Sequence, residues 1–516
     1  MLSLKHLPVS SFNENLAYLH KDCVAYKVDD INALTKIEIH GGVKTVYAFL
    51  QVVDDAKLVK PTEIALNNEA FEQINLPEGA NISISLSTPP PSLASVKRKI
   101  AGNILSSGEY SSIINDITAR RYSNMDIASF LVASGSFMSA PEVLALTEAL
   151  VGDNVFHWDN EGIVVDHHCL GGVPGNKTDI IITAIVGAYG LPMPKTSARS
   201  LTSCAGVADT MSVLANVDLD DRTFRSLVKE NRAAIACYDG LNIAEASKLI
   251  SSVERQIGLI QQEHIASSIL AIKLAAGVTH LLIDIPVGPK SRIKSTNEAM
   301  RLRKLIEYVG DMLSMEIDGF VNVLVVKLAH GVGKLAHNFQ PQLGVGNGVG
   351  AVLEARDVMK VLRNKEDAPQ DLLEKSLFLA GRLLEFDPKL RGGQGYHVAK
   401  EILTSGRALE VMNRIIHAQG KAPQPQLGHL TRDIISNVSG VVEAIDNSRI
   451  NKIGVWAGAG QYPGAGLDLL KKVGDPVEQG ETLYRIHSCN STDFAFANSV
   501  VDGYTGYEIS GRQSNY

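Results

Sequence analysis

The chain has 516 residues, is 45% hydrophobic and 20% charged, and carries a net charge of -7. That length allows about three domains of ordinary globular composition. The acidic balance argues against a dedicated nucleic-acid binder, and no apolar run reaches the roughly 18 residues of a membrane span. The five scattered cysteines show no CxxC spacing, so neither a zinc site nor a disulfide framework is indicated. The N-terminus MLSLKHLPVSSFNENL lacks the apolar core of a secretion signal, and a reducing cytoplasm is the expected setting.

Residues 1–90 read as a β-rich module. Val24–Val28, Lys36–Ile39 and Asn81–Leu86 alternate with period two, and Pro89-Pro90-Pro91 ends the module as a stiff linker. From Leu93 to Leu150 apolar residues recur at three-to-four spacing, which predicts helices, with Ser139-Ala140-Pro141-Glu142 as a helix start. An α/β region begins near Ile163. It has strand candidates at His280–Val287 and Val321–Val326, and helices at Thr296–Met312, Leu353–Leu362 and Gln370–Glu385. Continuous apolar strands alternating with helices imply a sheet covered on both faces. From Ile434 short β segments dominate: Gly440–Ala444, Ile453–Trp456 and Thr482–Ile486.

The richest stretch is DHHCLGGVPGNKTDIIITAIVGAYGLPMPKTSARSLTSCAGVADTMSVL, from Asp166 to Leu214. An apolar run at Ile163-Val164-Val165 leads into a turn holding Gly171, Gly172 and Gly175, then an apolar helix over Ile180–Tyr189. A second turn, Thr196-Ser197-Ala198-Arg199-Ser200, opens another glycine-bearing segment. Two tandem strand–turn–helix units are a way to build an anion cradle, since small residues let backbone N–H groups approach an oxyanion at a helix N-terminus. Other readings stand beside this one. The glycines can serve a tight turn alone, Arg199 can be a salt-bridge partner, and Asp179 can be a helix-start residue. Cys169 and Cys204 read as small core residues, Lys273 as a solvated face residue, and Lys471 and Lys472 as a solvated turn. The spacing of Gly344, Gly346, Gly348 and Gly350 fits a hinge or lid better than a phosphate loop.

DHHCLGGVPGN and KTSARSLTSCAGVADTM resemble the thymidine and pyrimidine-nucleoside phosphorylase family, closest to its longer AMP phosphorylase branch. LLIDIPVG (281–288), LEARDV (353–358) and VGDPV (473–477) support the likeness, which covers most of residues 93–500. The resemblance implies an α/β plus all-α fold. Residues 93–160 with about 240–275 would form a discontinuous all-α domain, and 162–240 with 276–428 an α/β phosphate- and nucleotide-binding domain. Residues 430–516 would form a barrel-sandwich-like β domain beside the N-terminal module.

The implied reaction is phosphorolysis: phosphate attacks the anomeric carbon and the base departs. The expected substrate is a nucleoside 5′-monophosphate, giving free base and ribose 1,5-bisphosphate with no cofactor beyond phosphate as co-substrate and no metal. Nucleic acid and membranes are not expected partners, and a homodimer or higher homo-oligomer is expected. By the resemblance, Gly172, Lys177, Ser197, Ala198, Arg199, Ser200, Leu201, Thr202 and Ser203 hold phosphate or nucleotide, while Ser268 and Arg292 address the base side. His168 and Asp179 are the catalytic candidates, His168 orienting substrate and Asp179 as a base toward water. The chain departs from the expected pattern in three places: Val207 replaces a phosphate-binding threonine, Asp179 a serine or threonine, and Ile260 the aspartate that serves the AMP phosphorylase branch as proton donor. His167-His168-Cys169 also stands in place of the Lys-His-Ser of the plain thymidine phosphorylase branch. Those departures keep other readings open: a nucleotide-binding homologue without phosphorolysis, a thymidine or pyrimidine-nucleoside phosphorylase, or a nucleotide hydrolase.

Overall fold

The computed structural model describes residues 1–11, 14–26, 36–159, 161–199, 203–258, 261–288, 291–322, 324–325, 339–340, 344–390 and 392–511. The chain divides into two compact units, residues 1–150 with 244–268, and 151–243 with 269–516. These divisions compare with the boundaries expected at 160, 240 and 275. The N-terminal module and the helices after it fall in one unit.

In the first unit, six strands close a barrel in the order β1-β5-β2-β4-β3-β6. They are β1 (Leu2–His6), β2 (Leu16–His20), β3 (Lys36–Gly41), β4 (Lys44–Val53), β5 (Glu63–Leu66) and β6 (Asn81–Leu86), with helix α1 (Asn68–Ile74) between the last two. Period-two alternation drives closure: β3 buries Ile37 and Ile39 and leaves Lys36, Glu38 and His40 half-exposed. The strand expected at Val24–Val28 does not form over Val24–Tyr26, which bend; Lys27 and Val28 lie outside the described residues. Val24 N–H donates to Pro61 O, and a proline has no N–H to return the bond.

The helices of this unit are α2 (Leu93–Ile100), α3 (Ser107–Thr118), α4 (Asn124–Ser136), α5 (Ala140–Val151) and, later in the chain, α9 (Glu245–Ile257). Ser106 with Glu109, and Ser123 with Asp126, form reciprocal caps on α3 and α4. Buried Lys99 and Glu142 pair at 2.5 Å, with Leu105 N–H and Tyr110 Oη also donating to Glu142. Helix α10 (Gln262–Ala275) carries the chain across the last division.

In the second unit, β7 (Val165–Cys169), β10 (His280–Pro286) and β11 (Glu316–Asn322) form a parallel sheet in the order β11-β10-β7. Next to β7, β8 (Met193–Ser197) pairs in parallel with β9 (Ala233–Cys237), and Val165 N–H donates to Pro192 O. Strand β11 starts well before the expected Val321. It is an edge strand, so Glu316 and Asp318 can alternate with apolar residues and hide it from a hydrophobicity pattern. Helices α6 (Thr178–Tyr189), α7 (Val207–Ser212), α8 (Asp221–Asn231), α11 (Thr296–Met312), α12 (Ala351–Leu362), α13 (Gln370–Leu384), α14 (Gln394–Thr404) and α15 (Arg407–Gln419) belong to this layer system. Helix α6 is buried all round from Thr178 to Gly187 and lies at the heart of the core with Ile182, Ile185, Val358 and Leu383. Gln419 closes the edge of β9 by bonding both Ile235 N–H and Ile235 O.

A short pair, β12 (Leu324–Val325) and β13 (Phe339–Gln340), precedes the C-terminal sheets. There β14 (Gly348–Val349), β15 (Leu430–Ile435), β17 (Gly466–Leu469) and β19 (Thr482–Ser488) form one sheet; β16 (Gly440–Ile445), β18 (Pro476–Val477) and β20 (Tyr507–Gly511) form another. The strand expected at Ile453–Trp456 is instead the end of helix α16 (Asn447–Trp456). Asp446 caps it by accepting from Arg449 N–H, and Ile450 and Ile453 fall on one buried face. Helix α17 (Ser491–Val501) is a second helix in a region read as β.

The loop between β7 and α6 is locked by Gly175. Its φ is +72°, and an added Cβ would sit 2.2 Å from Val345 O and 2.7 Å from Gly348 O. Gly175→Ala should therefore lower stability by about 2–3 kcal/mol; calorimetry showing an unchanged melting temperature would remove this close approach as a constraint.

Candidate active site

The loops after β7 and β8 lie at the carboxyl ends of neighbouring strands, where α/β folds place ligands. A buried ladder of charge holds those strands together. Lys273 of α10 donates to Asp166 at 2.5 Å, to Thr196 O at 2.9 Å and to Thr196 Oγ1 at 3.0 Å. Lys195 of β8 lies 3.3 Å from the other Asp166 oxygen and 2.6 Å from Asp179 Oδ1, and it also donates to His167 O. His167 Nδ1 completes the ladder at 2.7 Å from the same Asp179 oxygen. Lys273, read from sequence as solvated, is 2% exposed; its partner stands 107 residues away in the chain, beyond any local signal.

Burial alone would raise the Asp179 carboxyl, but Lys195 and His167 outweigh it and hold it well below the usual carboxylate range. Burial would lower Lys195, and Asp166 and Asp179 raise it. Asp179 is thus a fixed anion in the first turn of α6, matched to the helix dipole and to a lysine. A carboxylate so stabilised is a weak proton acceptor, which speaks against a base role toward water. Burial, then Lys273 and Lys195, push His168 well below its ordinary value, so its imidazole is neutral. Burial pushes the Cys169 thiol up, and Asn176 Nδ2 donates to its sulfur at 3.2 Å.

The structure places the other expected residues as follows. Gly172 has φ +79°, and a Cβ there would lie 2.9 Å from Arg292 N, so the glycine-rich loop abuts the Ser291–Arg292 backbone. Arg292 itself is exposed. Lys177 is buried and pairs with Glu354 at 3.0 Å; the same Glu354 oxygen accepts from Thr210 Oγ1 at 2.7 Å. Glu354 therefore ties the first loop to the helix that follows the second. Arg199, its side chain 39% exposed, pairs with Asp218 at 2.7 Å and Asp209 at 3.5 Å. Ser197 Oγ donates to Ala198 O and Ser203 Oγ to Ala205 O, both at 3.3 Å. Val207 packs against the apolar core, as a valine in place of a threonine can. Ser200, Leu201, Thr202 and Ile260 lie outside the described residues. Ser268 belongs to the first unit, where it lines a small cavity with Phe130 and His264.

Sequence reasoning missed several groups. His167 Nε2 and Ser291 Oγ are buried with no hydrogen-bond partner among the described residues. Lys375 and Asp284 form an ion pair at 2.9 Å, and Asp284 is in register with Cys169. The only prior signal was position: Asp284 lies within the LLIDIPVG segment and Ser291 shortly after it. Buried polar groups normally find partners, so His167 Nε2 and Ser291 Oγ are candidates to meet a polar ligand or water. The glycines from 344 to 350 do not contribute. Gly346, Asn347, Gly348 and Gly350 N–H groups donate to Asp371, Asp357, Asp357 and Glu354. Among the described residues, no group of three His, Cys, Asp or Glu side chains could hold a metal ion, and no helix is long and apolar enough to cross a membrane.

Two outcomes follow. Lys195→Met should cost about 3–5 kcal/mol by leaving buried Asp179 without its lysine, and Asp179→Asn in that background should restore part of it; denaturant unfolding of the two variants checks the coupling. Burial brings Lys273 down to about 8, against the opposing pull of Asp166. Above that pH the ladder keeps one lysine cation, Lys195, against Asp166 and Asp179, and repels phosphate. The KM for phosphate should then rise through pH 8–9; a flat profile would refute the link.

Residues 441–508 match the family described as Pyrimidine nucleoside phosphorylase C-terminal domain. A relative from Methylococcus capsulatus is 43% identical over 510 residues, covering 98% of this chain and 96% of its own. One from Rhodopseudomonas palustris is 42% identical over 511 residues, covering 98% and 96%. Both bear the name "Putative thymidine phosphorylase". The solved anthranilate phosphoribosyltransferase from Thermus thermophilus matches 63% of this chain and 99% of its own at a TM-score of 0.50 and 18% identity, a likeness of fold. On the strength of the full-length relatives, the chain belongs to the thymidine and pyrimidine-nucleoside phosphorylase family of glycosyltransferases.

Proposed function

We propose that this chain splits the N-glycosidic bond of a nucleoside with phosphate, releasing free base and pentose 1-phosphate. The observation that supports this most is the presence of His167 Nε2 and Ser291 Oγ, buried without a hydrogen-bond partner among the described residues, and of the buried Lys375–Asp284 pair, in the same unit as the glycine-rich loop. The reaction needs phosphate held in line with C1′, and dry, fixed donors do this without reorganising. The loop around Gly172 brings backbone close to Ser291 and Arg292, and neutral His168 orients the substrate. Ser268 keeps its base-side assignment from the family likeness alone.

The nucleoside is preferred over the 5′-monophosphate for two reasons. Relatives that align over 98% of this chain, N-terminal module included, are named for thymidine. A 5′-phosphate would also need a cation, and Arg199 already faces Asp218 and Asp209. AMP phosphorolysis to ribose 1,5-bisphosphate is the second reading, favoured by the same Arg199, which stays part-exposed on the second loop.

Base release from thymidine, uridine, AMP and CMP, with and without phosphate, tests both. We expect phosphate-dependent release from a nucleoside, with pentose 1-phosphate by phosphorus NMR. Release from AMP with ribose 1,5-bisphosphate would instead establish the second reading, and no phosphate-dependent release from any of the four would defeat both.

A further inference from the structure

The second unit carries a cleft apart from the loops described above. It has a volume of about 530 Å³, within the range of small-molecule sites, and runs along α12 opposite the segment at Gln424-Pro425. Its floor is apolar, from Leu214, Val352, Ala355, Met359 and Pro425. Its rim is cationic. Arg356 is satisfied by Asp468 at 2.7 Å and Asp357 at 3.0 Å, and Lys360 by Asp367 at 2.6 Å. Arg363 and Lys365 line the same cleft and are exposed, and Lys365 adds to the pull of Lys360 on Asp367, which also lines it.

Two exposed cations above an apolar floor match a phosphate dianion joined to a flat apolar body. Methionine sulfur and proline are suited to packing a ring, and the paired cations suit a phosphomonoester. The cleft is also wired to the candidate active site. The helix that supplies Met359 and Lys360 carries Glu354, which holds Lys177 and Thr210. Leu214 on its floor follows the end of α7, whose start closes the second loop. A rigid helix touched by a ligand at one end and, at the other, by the first loop and the helix that follows the second is a direct mechanical connection.

We propose that this cleft is an effector site for nucleoside 5′-monophosphates, acting on the two loops through α12. The phosphate lies on Arg363 and Lys365, and the base lies on Met359 and Leu214. The proposal does not depend on which substrate is cleaved.

Photolabelling with 8-azido-AMP followed by peptide mapping tests it on the full chain. Label should appear on residues 352–367 and be competed by AMP but not by adenosine or inorganic phosphate. The double variant R363E/K365E, altered at two exposed positions, should lose that label at least tenfold. Its KM values for nucleoside and phosphate should stay within twofold in the absence of nucleotide, while AMP no longer alters its rate. Label confined to residues 166–199, label that survives the double variant, or equal competition by adenosine would each overturn the site. An unchanged wild-type rate with AMP bound at 352–367 would overturn the effector role. Because labelling is read without turnover, a failure of the phosphorolysis assay stays separate from a failure here.

Discussion

The ladder Lys273–Asp166–Lys195–Asp179–His167 is the constraint on which the candidate site depends. It joins α10, β7, β8 and the first turn of α6 in one buried network. Strands β7 and β8 pair with other strands, and few backbone bonds join them to each other. Charge fills the seam. Buried pairs of this kind are costly to assemble and costlier to break one partner at a time, so they fix geometry more than they add stability. Here the geometry fixed is the exit of two strands into two ligand-facing loops.

The ladder also sets the charge that a phosphate meets. Its lysines and aspartates balance, and Asp179 draws Lys195 inward. Among the described residues, His167 Nε2 and Ser291 Oγ are the nearby buried groups that this balance leaves without a hydrogen bond. The resemblance places a serine or threonine at 179, and the plain thymidine phosphorylase branch a lysine at 167. In this chain aspartate and histidine stand there and bond to one another. Val207 is a replacement on the apolar side, a shape kept and a hydroxyl lost.

The C-terminal domain supports the second loop. Cys204 N–H donates to Asn451 Oδ1 at 2.9 Å, and a Cβ on Gly454 would lie 2.3 Å from the Cys204 sulfur. Gly350 lies so close to Ala465 that a Cβ would meet its carbonyl at 2.4 Å. The loop from 344 to 350, with its amides bound to carboxylates, is a strut between α12 and the C-terminal sheet. Lys472 strengthens the strut by donating to Gly346 O and pairing with Asp371 at 2.9 Å.

Local chemistry was legible in the sequence. Helix α11 was bounded correctly because Ser295 accepts from Glu298 N–H at its start and its apolar residues keep helical spacing. Gly171, Gly172 and Gly175 announced a tight turn, and all three have positive φ. Where local pattern was ambiguous it misled: Ile453–Trp456 looks like a strand until Asp446 caps a helix before it. By itself the sequence determined the periodicities, the turns, the caps and, through its motifs, the family. Only the tertiary structure decided which charges meet. It buried Lys273 beside Asp166, gave Arg199 to Asp218 and Asp209, paired Lys375 with Asp284, and left Ser291 Oγ without a hydrogen-bond partner among the described residues. Those choices rest on contacts between residues far apart in the chain, and a sequence pattern of period two or 3.6 contains no term for them.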